Sequence, residues 1–152
     1  MFKRILFLLV VLVSLASCSS NKEEPKTMER LSGLWQLKDQ PSYESWTKDD
    51  DNTYLAKDFV LVNSDTNHTE RIKLFKDVNE VWQYEVQLLG GQQPRNITFE
   101  LDSLSETTMI FRNNTNPFPK SLNYHFPNDS IMQVTLEGEG AVPIYMVFKK
   151  RS

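Results

Sequence analysis

Apolar and polar residues alternate one for one along most of the chain, and that period of two decides what it can fold into. Trp82, Tyr84, Val86 and Leu88 fall on one side of an extended segment, with Val81, Gln83, Glu85 and Gln87 on the other. Ile97, Phe99 and Leu101 alternate with Thr98, Glu100 and Asp102, and Leu122, Tyr124 and Phe126 with Asn123 and His125. Met132, Val134 and Leu136, then Ile144, Met146 and Phe148, carry the pattern to the C-terminus. Successive side chains of a strand point to opposite faces, so these runs read as half-buried antiparallel strands. Turn-forming residues separate them at 49–52, 63–67, 90–91, 113–119, 127–129 and 138–140. About eight to ten short strands with no long helical pattern predict an all-β fold, an up-and-down barrel or a sandwich. Closure favours the barrel, because it removes the edge strands that would pair with other chains. At about eight strands a barrel interior holds side chains or one small ligand. Only residues 27–34 have the pattern of a helical turn, with Thr27 as its N-cap.

The N-terminal segment does not belong to that pattern. Lys3 and Arg4 precede an unbroken apolar run from Ile5 to Val13. The run is too short for the roughly 20 residues of a spanning helix and suits a secretory signal. Leu15-Ala16-Ser17-Cys18 resembles the lipobox of bacterial lipoproteins. That resemblance implies cleavage before Cys18 and a diacylglycerol on its sulfur, with fatty acyl chains such as palmitate. Two or three chains, at about 0.8 kcal/mol per buried methylene, anchor a protein stably. Residues 19–26 contain nothing apolar and read as a tether. The expected division is a signal peptide at 1–17, a lipidated cysteine and tether at 18–27, and one barrel domain at 28–152. Ser19 is not the Asp that retains lipoproteins in the inner membrane of enteric bacteria. The expected location is therefore the cell envelope, on the outer membrane, at its periplasmic or surface face.

Composition narrows the partners. The formal net charge is −3, and loss of Lys3 and Arg4 makes the exported chain more acidic still. Nucleic acid would call for a basic stripe, and Lys149-Lys150-Arg151 reads as a solvated end. A single cysteine excludes an internal disulfide. The expected partners are the membrane, through the lipid on Cys18, and a small apolar ligand, with the protein a monomer.

Gly33-Leu34-Trp35 fits the Gly-x-Trp pattern of lipocalins, in which the Trp plugs one barrel end. From Leu31 to Lys150 the chain resembles a lipocalin-like (calycin-type) family of bacterial lipoproteins defined as a domain of unknown function. The resemblance is carried by residues 31–35, by Glu44-Ser45-Trp46, by Thr69 to Leu74 and above all by Phe111 to Tyr124. There the family form is Phe-Glu-Asn-Pro-x-His-Asp-Phe-Pro-x-x-Ile-x-Tyr. The chain keeps Phe111, Asn113, Phe118, Pro119 and Tyr124 and departs at Arg112, Asn114, Asn116 and Pro117, so the His-Asp pair is absent. The resemblance implies a calycin-type barrel and export, and no reaction.

Glu70 shares parity with Ile72 and Leu74. If the strand extends that far, its carboxylate lies on the apolar face and can orient a ligand's polar head. If the strand begins after Glu70, the group sits at a solvated rim. Glu44 and Trp46 also share a face, and with Glu70 they could form an acidic and aromatic pocket. Trp35, Trp82, Tyr84, Phe99 and Tyr124 point inward, as core or as ligand box. Paired carboxylates can serve acid/base chemistry on a glycosidic bond, but no nucleophile and base stand together, and no enzyme is expected. His68, placed in the polar loop, and His125, facing outward, give no metal site, and no cofactor is expected. The candidate ligand contacts are Trp35, Glu44, Trp46, Glu70, Trp82, Tyr84 and Tyr124. The competing expectation is a filled barrel serving as a structural or protein-interaction module. A cavity of about 300 Å3 or more separates the two.

Overall fold

The computed structural model describes residues 26–91 and 93–152. The signal peptide, Cys18 and nearly all of the tether lie outside the described residues. A 3-10 helix (Lys26–Leu31) leads into ten strands: β1 (Gly33–Leu37), β2 (Ser42–Asp50), β3 (Thr53–Val62), β4 (Asp65–Lys76), β5 (Trp82–Leu88), β6 (Arg95–Leu104), β7 (Thr108–Arg112), β8 (Ser121–Asn128), β9 (Ile131–Glu137) and β10 (Ile144–Arg151). Each strand pairs antiparallel with the next, and β1 pairs with β10 as well, so the sheet closes into a barrel. The all-β, up-and-down barrel expected from the alternation is the fold.

The inward residues are the apolar members of the alternating runs: Trp82, Tyr84 and Val86 on β5, Leu122, Tyr124 and Phe126 on β8, Met132 and Val134 on β9. Their neighbours Gln83, Glu85 and Gln87 face out. This is the inverse of a membrane-spanning barrel, whose outer surface is an apolar band. No helix among the described residues is long and apolar enough to cross a membrane.

One end of the barrel is plugged. The 3-10 helix buries Met28 and Leu31 there, and Thr27 is 0% exposed. Thr27 does not cap its own helix; its hydroxyl donates to the Ser105 carbonyl in the β6–β7 turn. The 27/28 boundary read from composition thus falls inside the plug. Gly33-Leu34-Trp35 opens β1. Trp35 is fully buried, and its indole N–H donates to the Leu31 carbonyl at 2.6 Å, pinning strand to helix. Its ring meets Phe126 edge-on, and the Lys150 ammonium lies 5.1 Å from its centroid. Gly33 is favoured here by its φ of 127°, a backbone conformation that residues with a side chain rarely adopt.

The other end departs from the expected turn pattern. Asn63 and Ser64, with φ of 52° and 72°, make a two-residue hairpin turn, and β4 starts at Asp65 rather than after residue 67. His68 is therefore not in a loop. It lies in β4 with its ring edge-on to Phe59 at 5.9 Å.

Candidate functional site

The barrel is solid at the plugged end and hollow at the other. There a cavity of about 480 Å3 opens between the β1–β2, β5–β6 and β7–β8 connections. Most of its wall is apolar, with Val86, Phe99, Leu122, Val134, Leu136 and Phe148 among the lining residues.

Three carboxyl groups interrupt that wall. Glu44 on β2 is register partner to Asp58 on β3, and Asp58 to Glu70 on β4. All three line the cavity. Directly opposed side chains have Cβ atoms about 4.5–5.5 Å apart, so the three form one cross-strand row of like groups. The strand does extend through Glu70, which places its carboxyl on the cavity side rather than at a solvated rim.

Each carboxyl responds to that placement. Glu44 is 6% exposed, and one of its oxygens accepts from Trp46 Nε1 at 2.9 Å. Burial pushes its pKa up to about 7, helped by the charge of Glu70 and opposed by the Trp46 hydrogen bond. Asp58 is pushed up to about 10 by burial, then by the charges of Glu44 and Glu70. Its Oδ1 is wholly buried with no hydrogen-bond partner among the described residues. Glu70 is raised by burial alone. At neutral pH Asp58 keeps its proton, so the row carries fewer than three negative charges.

Two tyrosines form the inner floor. The Tyr84 and Tyr124 hydroxyls share a hydrogen bond at 2.8 Å, and burial holds both phenols neutral, well above their ordinary pKa. The Tyr84 ring packs against Phe111 at 5.3 Å and edge-on to Phe99 at 6.3 Å.

The 113–120 segment builds the mouth. Asn113 Oδ1 accepts from the Thr115 and Asn116 amides at 3.0 and 2.9 Å, and its Nδ2 donates to the Thr98 carbonyl at 2.8 Å. Asn116 is buried and donates through Nδ2 to the Pro119 carbonyl at 2.7 Å. This brace sets Phe118 and Pro119, joined by a cis peptide bond, on the cavity wall. Each of the five motif residues therefore serves this end of the barrel: Asn113 organises the loop, Phe118 and Pro119 line the mouth, Tyr124 lies on the floor and Phe111 packs behind it.

Four candidate contacts come together in the cavity: Glu44, Glu70, Tyr84 and Tyr124. The three tryptophans do not line it. Trp35 plugs the far end, and Trp46 props Glu44. Trp82 packs against Tyr54 at 6.1 Å under the Lys76 ammonium, near the plugged end. Sequence reading missed Asp58, although it shares parity with the buried Tyr54 and Ala56. It also missed Arg95, which lines the cavity from the exposed start of β6. A second depression, of about 440 Å3, lies outside the barrel among Lys57, Arg71, Lys73 and Glu85, apart from this interior. Among the described residues no three His, Cys, Asp or Glu side chains are placed to hold a metal ion. Comparison with protein-family models and with curated proteins finds no match to this chain.

Proposed function

We propose that this is a lipid-anchored, lipocalin-like binding protein of the bacterial envelope, monomeric, whose barrel takes a small, largely apolar ligand into its open end. The observation that carries the reading is the cavity. Its volume of about 480 Å3 falls within the roughly 300–1,000 Å3 of small-molecule sites. A barrel meant only as a filled module would have closed that space with side chains. Tyr84 and Phe148 instead face open volume. An apolar wall with a few convergent polar groups is the composition of a binding pocket: burial drives association and the polar groups fix orientation. The anchor follows from Leu15-Ala16-Ser17-Cys18, and the polar outer face suits a barrel held beside a membrane rather than in it.

Native mass spectrometry of the chain from Ser19 onward, purified from bacterial lysate without denaturation, tests the reading. A discrete adduct that dissociates on activation is the expected result, and its mass identifies the cargo. A bare mass that stays bare after incubation with single-chain amphiphiles would overturn it in favour of a partner-binding module.

A further inference from the structure

Resting on the reading of the cavity as a ligand site, we propose that its ligand is a single-chain amphiphile with a cationic, amine-type head. The head sits on the row of Glu44, Asp58 and Glu70, and the chain lies along the apolar wall. Three features of the interior select that charge. Acceptors from three adjacent strands face one space in register, and none of them forms an ion pair among the described residues. Asp58 Oδ1 is wholly buried without a partner. The lining has one cation, Arg95, at the exposed start of β6.

Like charges directly opposite across strands are destabilising, and buried charges demand a partner. Protons can answer that demand, as the raised carboxyls indicate. An ammonium head answers it better, since it brings a positive charge and several N–H donors, one of them for the unpartnered Asp58 Oδ1. A carboxylate or phosphate head would instead add negative charge to the row. A bare metal ion is not what the row suits, because no three His, Cys, Asp or Glu side chains among the described residues are placed to hold one. It would also leave the apolar wall unused.

Three probes with one tail and different heads separate head from cavity: decylammonium, decanol and decanoate. Each is titrated calorimetrically at neutral pH, the ionic probes below their micelle concentrations and decanol below its solubility limit, into the chain from Ser19 onward; the closed sheet and its core lie within residues 26–152 of it. The expected order is decylammonium tightest, by about tenfold over decanol, with decanoate weakest; a hydrogen-bonded charge of this kind contributes at about that level. Glu70→Gln should cost decylammonium about fivefold and decanol much less, since only the ammonium loses a charge partner, with far-UV circular dichroism reporting that the variant is folded. Equal binding of decanol and decylammonium would overturn the cationic head while leaving the cavity reading intact. Preference for decanoate would overturn it too and move the head contact to Arg95. If none of the three binds, the cavity reading itself fails.

Discussion

The hydroxyl pair on the cavity floor illustrates how polar groups are tolerated deep in this barrel. Tyr84 and Tyr124 are each other's partner at 2.8 Å, and both are buried. Tyr84→Phe leaves the Tyr124 hydroxyl without its partner, at a cost of about 1–3 kcal/mol, and Tyr124→Phe does the reverse. The double variant removes both groups and should lose much less than the sum of the two. Urea unfolding of the four proteins measures this, and strict additivity would show that the bond carries no coupling. Glu44 and Glu70 were legible in the sequence by parity alone. Asp58 had the same signal, since it continues Tyr54 and Ala56, yet Lys57-Asp58 also reads as an ordinary surface pair. What brings the three carboxyls into one row is register. The Asn63-Ser64 turn and the shift between Asp58 and Phe59 set it, and neither follows from alternation.

At the scale of elements, the 113–120 segment and the β9–β10 connection meet at the mouth. A Cβ on Gly138 would stand 2.8 Å from Cδ2 of Phe118, whose ring lines the cavity. Gly138→Ala therefore forces that ring to move and should cost about 1–3 kcal/mol by overpacking. Gly90→Ala is the matched control: nothing lies within 4 Å of its Cβ position, so its effect should stay within about 0.5 kcal/mol. Equal urea midpoints for the two variants would refute the contact. The strands themselves were readable because each buries one face. The tryptophans illustrate the limit. An inward parity says that a side chain enters the barrel but not at what height, and height separates the plug residue Trp35 from the floor residue Tyr84. The 3-10 helix was readable as a helical turn. Its role as a stopper, through Thr27 and Leu31, depends on contacts with the distant β6–β7 turn and with Trp35.

For the molecule as a whole, the carboxyl row makes stability depend on pH in an unusual direction. Asp58 and Glu44 release their protons near pH 4 in the unfolded chain, at 3.8 and 4.5, but at about 10 and about 7 in the folded one. Between those values the folded state binds more protons, so stability falls as pH rises. The contribution of Glu44 is spent near pH 7, and that of Asp58 continues to fall toward pH 10. The slope is at most about 1.4 kcal/mol per pH unit for each proton. Urea midpoints at pH 5, 7 and 9 should therefore decrease in that order. Asp58→Asn should flatten the upper half of the profile and be the more stable protein at pH 9. A wild-type profile that rises across this range would contradict the burial of the row.

The described chain enters the barrel at its plugged end, and the mouth lies at the opposite end. With Cys18 lipidated as proposed, full extension from Cys18 to Lys26 spans at most about 28 Å. The twelve residues of β4 alone run about 40 Å along a leaning strand. Leaning at about 35–45°, that strand gives a wall about 28–33 Å high, so the mouth lies at least as far from the plugged end as that leash is long. On the proposed anchoring and binding reading, plug and mouth at opposite ends of the barrel would turn the lip away from the moorings, and cargo would be loaded from the aqueous side rather than skimmed from the leaflet that holds the protein.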